Sequence, residues 1–165
     1  MRQFAALIAY IPELIGGLTM LAITLVLFAG VVWRYFFVDP LTWSDEIART
    51  LFVWLAFIGA AIGVKRRLHS VVLVFGSRMP PKWQTFMTLL GLTVIAVMAG
   101  VLLYTGTTET LANFKQTMPI TGLSRGWLYL AVPVSGLLIL AYLVPQFWLA
   151  LRGERLPSPH ETGAE

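Results

Sequence analysis

Asp45, Glu46 and Arg49 form a compact group of mixed charges, and Arg34 precedes them in the chain. In a helix, Asp45 stands four residues before Arg49 and Glu46 stands three residues before it, so either carboxylate can reach the guanidinium. Such a group can bind a proton or a transported ion, make a charged contact with a partner protein, or tether the end of a membrane helix, because charges at span ends reach water. The residues alone leave these three interpretations open.

Small residues form a second pattern. Gly59 and Gly63 are four residues apart, and Ala96 to Gly100 and Ala131 to Ser135 repeat that spacing. In lipid, small residues at this spacing allow two helices to approach closely. The pattern predicts helix packing at Gly59 and Gly63, either within the chain or against another chain.

Several other chemistries are excluded by residue type. The chain has no cysteine, which removes disulfides, thiolate metal sites and a cysteine nucleophile. His69 and His160 fall in predicted loops, so a haem held by two histidines inside the membrane is not possible, and there is no P-loop sequence. No set of serine, histidine and acid lies at membrane depth. We therefore expect no enzyme activity and no cofactor or metal.

The distribution of charged residues along the chain predicts the helices that hold these residues. The chain has 165 residues, of which 58% are apolar and 12% charged, against roughly 25% charged in a soluble domain. Four stretches contain no charged residue, and a helix of about 20 apolar residues crosses a bilayer. The sequence predicts an all-α integral membrane protein with four transmembrane helices, at about 13–33, 44–64, 83–108 and 126–151.

Two local features belong to these spans. The second charge-free stretch is short, but Thr42 or Ser44 can serve as an N-cap and bring Asp45 and Glu46 into the first turn, which lengthens the helix. Pro133 lies inside the fourth span, where a proline is expected to kink a helix.

Basic residues set the expected orientation. Eight of the twelve Lys and Arg residues fall on the side of the termini and the middle loop, and four fall on the other side. By the positive-inside rule, both termini should be cytoplasmic. Topology thus accounts for the net charge of +4 and the pI near 9.8, and nucleic acid is not an expected partner.

The segments between and after the spans are short. The apolar run from Val71 to Phe75 lies between basic residues, which predicts an interfacial amphipathic segment in the middle cytoplasmic loop. Residues 157–165 have the composition of a disordered cytoplasmic tail, so the four-helix membrane domain comprises residues 1–156. No separate soluble domain is expected.

The middles of the four spans contain no ionisable residue. Ion and proton pathways usually place one there. We therefore interpret the chain as a scaffold rather than a conduit.

The first loop and second span resemble the signature of the small membrane subunit of tripartite ATP-independent periplasmic (TRAP) transporters, the DctQ-like family. The resemblance rests on Arg34-Tyr35-Phe36, residues 40–49 and residues 52–61, and it continues with Lys65-Arg66-Arg67 before His69, with Trp127-Leu128-Tyr129 and with Pro133.

This resemblance implies a bacterial inner-membrane subunit that pairs with a large, sodium-coupled permease subunit and works with a periplasmic solute-binding protein. The implied activity is sodium-driven uptake of an organic acid, with the substrate and sodium sites in the large subunit. The residues expected to anchor partners are Arg34, Trp43, Glu46 and Arg49, and those expected to pack helices are Gly59 and Gly63.

Two other functional classes remain as alternatives. One is an autonomous small four-helix proton-coupled exporter, for which Glu13 is the only carboxylate in the first span. The other is an assembly factor of another membrane complex.

Overall fold

The computed structural model describes residues 2–66 and 81–151, with the side chains of residues 11–66 and 83–151. Its helices are α1 (Arg2–Val32), α2 (Thr42–Lys65), α3 (Pro81–Asn113), α4 (Gly126–Tyr129) and α5 (Ala131–Leu151), and a π-helical turn (Trp33–Phe37) follows α1. In this part of the chain four helical segments are long and apolar enough to cross a membrane: Ile11–Phe37, Thr42–Lys65, Trp83–Asn113 and Gly126–Leu151. The predicted all-α fold with four spans is confirmed.

Some predictions fall on residues that lie outside the described ranges. They concern the interfacial segment from Val71 to Phe75, the two histidines and the tail at 157–165.

The first span ends in an irregular way that the sequence did not signal. After α1 the backbone widens into the π-helical turn, in which the rings of Trp33 and Phe37 stack with centroids 4.8 Å apart. The turn ends at Val38, which has the left-handed backbone angle φ of 58°. That conformation costs a β-branched residue about 1–2 kcal/mol, so the chain reverses here at the expense of local strain.

The start of α2 differs from the prediction. The helix begins at Thr42, so Ser44 already lies in its first turn and its hydroxyl donates to the Leu41 carbonyl oxygen at 2.6 Å. An N-cap side chain accepts from a backbone amide instead, and the expected capping role of Ser44 is wrong. Ser44 is buried, and a Cβ added to Gly30 of α1 would lie 3.0 Å from its Oγ.

The fourth span is interrupted earlier than expected. The helix divides at Leu130, between α4 and α5, which leaves Pro133 in the first turn of α5. A proline is tolerated there because the first amides of a helix have no intrahelical acceptor. A different proline, Pro145, lies inside α5.

The described chain divides into two compact units. The first comprises Met1–Gly59 with Gly106–Val132, and the second comprises Ala60–Thr105 with Pro133–Glu165. In the second unit, α3 and α5 supply most of an apolar core: Ala61, Val64, Leu92, Ala99, Ile139, Leu143 and Ala150. The first unit holds every residue that the sequence analysis proposed as a partner contact.

A close backbone approach joins α3 and α5 within the second unit. A Cβ added to Gly136 would lie 3.1 Å from both the carbonyl oxygen of Ala99 and the amide nitrogen of Leu103. Ser135, next to it, is fully buried. Ser135 and Gly136 of α5 therefore pack inside the chain.

The end of α2 is also held within the second unit. The Gln146 side-chain amide, which is buried, donates to the Val64 carbonyl oxygen at 3.1 Å. The Lys65 ammonium lies 5.9 Å from the centroid of the Tyr142 ring, one turn before Gln146. The Gln146 bond provides a donor for a carbonyl in the last turn of α2.

Candidate functional site

The four residues predicted as partner contacts all lie in the first unit, at the end of the first span and the beginning of the second. Arg34 is exposed in the π-helical turn, and Trp43 and Arg49 are exposed on α2. Glu46 is half-buried. Among the described residues, no hydrogen bond or ion pair joins any two of these four, so the structure gives them separate surroundings.

Glu46 binds the loop at residues 114–125, between α3 and α4. Its carboxylate accepts hydrogen bonds from the backbone amides of Ile120 at 3.2 Å and Thr121 at 2.9 Å, and from the Thr121 hydroxyl at 2.8 Å. The positive charge of Arg125, at the end of the same loop, attracts this carboxylate as well. Glu46 thus fixes the tip of the loop to the first turns of α2.

The tip of the loop is shaped to present these amides. The Met118 amide donates to the Leu123 carbonyl at 2.8 Å, and the Gly122 amide donates to the Met118 carbonyl at 3.1 Å. Gly122 has a φ of 69°, which glycine adopts without steric cost. The resulting turn directs successive amides toward one point, an arrangement that favours an anion.

The base of the loop is closed by further hydrogen bonds. Thr117 and Ser124 form an isolated antiparallel bridge, and the Arg125 amide donates to the Gln116 carbonyl at 2.8 Å. The Ser124 hydroxyl donates to the Phe114 carbonyl at 2.7 Å. The loop is therefore an ordered hairpin-like structure.

Gly126 begins α4 directly under the base of this loop. A Cβ on Gly126 would lie 2.9 Å from Cγ and 3.0 Å from Cα of Phe114. Only a residue without a side chain fits there.

Arg49 does not form the ion pairs that the helical spacing allows. Within the described residues neither Asp45 nor Glu46 is bonded to its guanidinium, and Glu46 is engaged with the loop instead. Arg49 is exposed on α2. The charged group predicted from the sequence is thus divided into an internal contact and an outward-facing arginine.

The two glycines predicted to pack helices differ in their surroundings. Gly63 is buried. Gly59 is exposed, and a Cβ added to it would meet nothing within 4 Å. Among the described residues, no neighbouring helix therefore occupies the space beside Gly59.

Sequence analysis did not find the contact made by Trp54. This side chain lies well inside the second span, and its indole N–H donates to the Trp127 carbonyl oxygen of α4 at 3.0 Å. The one available signal was a tryptophan away from the span ends, since indoles usually lie at the membrane–water interface. The bond connects α2 to the beginning of the fourth span.

Substituting Trp54 with phenylalanine keeps a ring but removes the donor. We expect Trp54→Phe to lower the free energy of unfolding in mixed micelles by about 0.6–2 kcal/mol, the range for a hydrogen bond between membrane helices. Trp83→Phe is the matched control because Trp83 is 55% exposed at the start of the third span. Equal effects of the two substitutions would contradict a specific role for the Trp54 bond.

The arrangement can hold helices and a loop in place, and the exposed cation on α2, Arg49, can bind an anion. In the described part of the chain no three His, Cys, Asp or Glu side chains cluster as metal ligands would.

Comparison with known proteins identifies the family. Residues 23–153 match the family described as tripartite ATP-independent periplasmic transporters, DctQ component. The chain is 28% identical to the sialic acid TRAP transporter small permease protein SiaQ of Vibrio cholerae, over 82% of this chain and 79% of that protein. It is 33% identical to the C4-dicarboxylate TRAP transporter small permease protein DctQ of Rhodobacter capsulatus, over 69% of this chain and 52% of that protein.

A third relative is a longer protein. The chain is 28% identical to the sialic acid TRAP transporter permease protein SiaT of Haemophilus influenzae, over 79% of this chain but only 21% of that protein. The match to the family covers most of the chain, and four apolar helices agree with it. The chain is a multi-pass inner-membrane protein that belongs to the DctQ-component family, the small permease subunits of tripartite ATP-independent periplasmic transporters.

Proposed function

We propose that this chain is the static, scaffolding subunit of a sodium-driven importer of an organic acid. It pairs with a large permease subunit that carries the substrate and sodium sites, and it works with a periplasmic solute-binding protein. In this role it acts in transport and catalyses no reaction. The observation that carries the proposal is that the best-placed carboxylate, Glu46, is bonded to the chain's own loop.

The hydrogen bonds of Glu46 bear on the three interpretations of the charged group. A transported ion needs a carboxylate that can give up its present partners, whereas Glu46 accepts three hydrogen bonds from Ile120 and Thr121. The middles of the spans offer no other ionisable group. Both facts favour a supporting subunit over a conduit.

The relatives support the proposed partner and the substrate class. A region like this chain makes up about a fifth of the permease protein SiaT, so in that protein it is joined to a much longer permease segment. The three relatives are named for sialic acid or C4-dicarboxylate transport. Both are organic acids, and we propose that class for this transporter.

The proposed orientation places both termini in the cytoplasm and the loop at 114–125 in the periplasm, following the distribution of Lys and Arg. Arg34, Trp43 and Arg49 would then anchor the periplasmic side against the large subunit or the binding protein. Glu46 contributes indirectly, by ordering the loop.

Co-purification tests this proposal. The chain is co-expressed with a large TRAP permease subunit from the same organism, solubilised in mild detergent and recovered by an affinity tag on the chain. We expect near-equimolar recovery of the large subunit. Recovery of a partner unlike a permease would favour an assembly factor instead, and recovery of the chain alone under conditions that preserve its fold would also contradict the proposal.

A further inference from the structure

Helix α2 has two distinct faces within the first unit. Residues of a helix advance by about 100° each, and the buried side chains of Ser44, Ala48 and Ile58 lie together on one side, among half-buried residues. A second side is exposed and carries Asp45, Arg49, Phe52, Ala56 and Gly59. Phe52 has 64% of its surface exposed.

Arg49 lies on the exposed face, far enough along α2 from its first residue that its charge is expected to need a partner. It follows the first residue of α2 by seven positions, which is about 10 Å along the axis. An arginine within a span is costly and usually pairs with another polar group. Within the described residues Arg49 forms no ion pair, and the carboxylate of Glu46 is occupied by Thr121 and Ile120.

The neighbours of Arg49 indicate what kind of partner fits. Ala56 and Gly59 continue the same face deeper into the span, and a Cβ at Gly59 would find open space within 4 Å. Small residues allow a second helix to approach closely, whereas lipid chains do not require them. Asp45 lies one turn closer to the helix start on this face, so a lipid phosphate drawn to Arg49 would also meet a negative charge.

We infer that Arg49 pairs with a carboxylate on a transmembrane helix of the large permease subunit, and that this helix packs along Phe52, Ala56 and Gly59. The inference rests on the proposed function and assigns the contact surface within it. A guanidinium and a carboxylate form a short, charge-assisted and often bidentate contact. The chain supplies the cation and the small-residue face, and the partner supplies the anion.

Site-specific photo-crosslinking in the co-expressed complex tests the inference. A benzophenone amino acid replaces Phe52 or Gly59, the membranes are irradiated, and the adduct is identified by mass spectrometry. We expect adducts with one transmembrane helix of the large subunit that contains an Asp or Glu. The same crosslinks are then measured in Arg49→Met, Arg49→Lys, Asp45→Asn and Lys115→Met.

Arg49→Met should lower the yield of the Phe52 crosslink about three- to thirtyfold, the range for one polar contact between membrane helices. Arg49→Lys should retain part of it because the charge remains. Lys115→Met, which removes an exposed charge from the loop, and Asp45→Asn should change the yield less than twofold. Replacing the partner's Asp or Glu with Asn or Gln should lower the crosslink yield as much as Arg49→Met does. Combining that substitution with Arg49→Met should lower the yield no further.

Four results would overturn the inference. They are a Phe52 adduct with phospholipid only, an unchanged yield in Arg49→Met, an Asp45→Asn effect equal to that of Arg49→Met, and no adduct from either position while the large subunit is still recovered. In the last case the proposed function stands and only the contact surface is wrong. Failure to recover the large subunit with the unmodified chain would instead refute the proposed function.

Discussion

Replacing Glu46 with alanine is expected to release the tip of the 114–125 loop from α2 and to lower the hydrogen-exchange protection of the Ile120 and Thr121 amides by about 10- to 100-fold. The carboxylate accepts three hydrogen bonds from these two residues. Hydrogen bonds to a charged group are stronger than those between neutral groups, but this site is only half-buried, so water replaces part of the lost contact. We therefore expect the opening equilibrium of the loop to shift by about ten- to a hundredfold.

Three further variants distinguish the loss of the Glu46 carboxylate from other effects of the substitution. Glu46→Gln keeps one acceptor oxygen and should lose part of the protection. Thr121→Val removes only the hydroxyl donor and should have a smaller effect than Glu46→Ala. Asp45→Asn changes the adjacent carboxylate, which is exposed, and should leave the protection unchanged. Protection that persists in Glu46→Ala would mean that the loop holds its shape without α2.

Substituting Gly136 should have the largest effect on the stability of the second unit. A Cβ at this position would lie 3.1 Å from backbone atoms of both Ala99 and Leu103, and backbone cannot rotate away as a side chain can. Overpacking of this kind costs about 1–3 kcal/mol. We expect Gly136→Ala to lower the free energy of unfolding in mixed micelles by that amount, and Gly136→Val to lower it further.

The matched control for Gly136 is Gly100→Ala on α3, where an added Cβ meets nothing within 4 Å. Alanine has a better helix propensity than glycine by about 1 kcal/mol in water, so this variant should be neutral or slightly more stable. If Gly136→Ala were as stable as Gly100→Ala, the close approach of α3 and α5 would not contribute to stability.

The four spans could be predicted because their cause is local. A stretch without charge that is long enough to cross a bilayer forms a helix, whatever lies beside it. The irregular end of the first span was not predictable on this basis. Trp33–Phe37 contains neither glycine nor proline, and neither glycine nor asparagine marks the left-handed position at Val38.

The site was predicted only in part, because its contacts are distant in sequence. Helical spacing brought attention to Glu46 and Arg49, but it suggested that they pair with each other. The partners of Glu46 are backbone amides 74 and 75 residues further along the chain. Almost every residue type has a backbone amide, so the sequence does not show which amides act as donors. Gly122, a residue type common in turns, was the only indication of an ordered loop in the sequence of this segment.

The spacing of small residues indicated where helices pack, but it did not identify the glycine at which they approach most closely. Ala131 and Ser135 were recognised, and both are buried. The residue that makes the close approach is the next one, Gly136, which the four-residue pattern does not include. The contribution of a glycine depends on what lies opposite it, and the sequence does not contain that information.

We propose that this chain supports a transporter without being the transport pathway. Reconstitution into proteoliposomes distinguishes the two roles, with uptake of radiolabelled sialic acid or a C4-dicarboxylate driven by a sodium gradient. We predict uptake when the chain is reconstituted with the large permease subunit and the binding protein is added, and none with the chain alone. Uptake or proton-coupled export by the chain alone, abolished by Glu13→Gln, would show instead that the chain is itself the transport pathway.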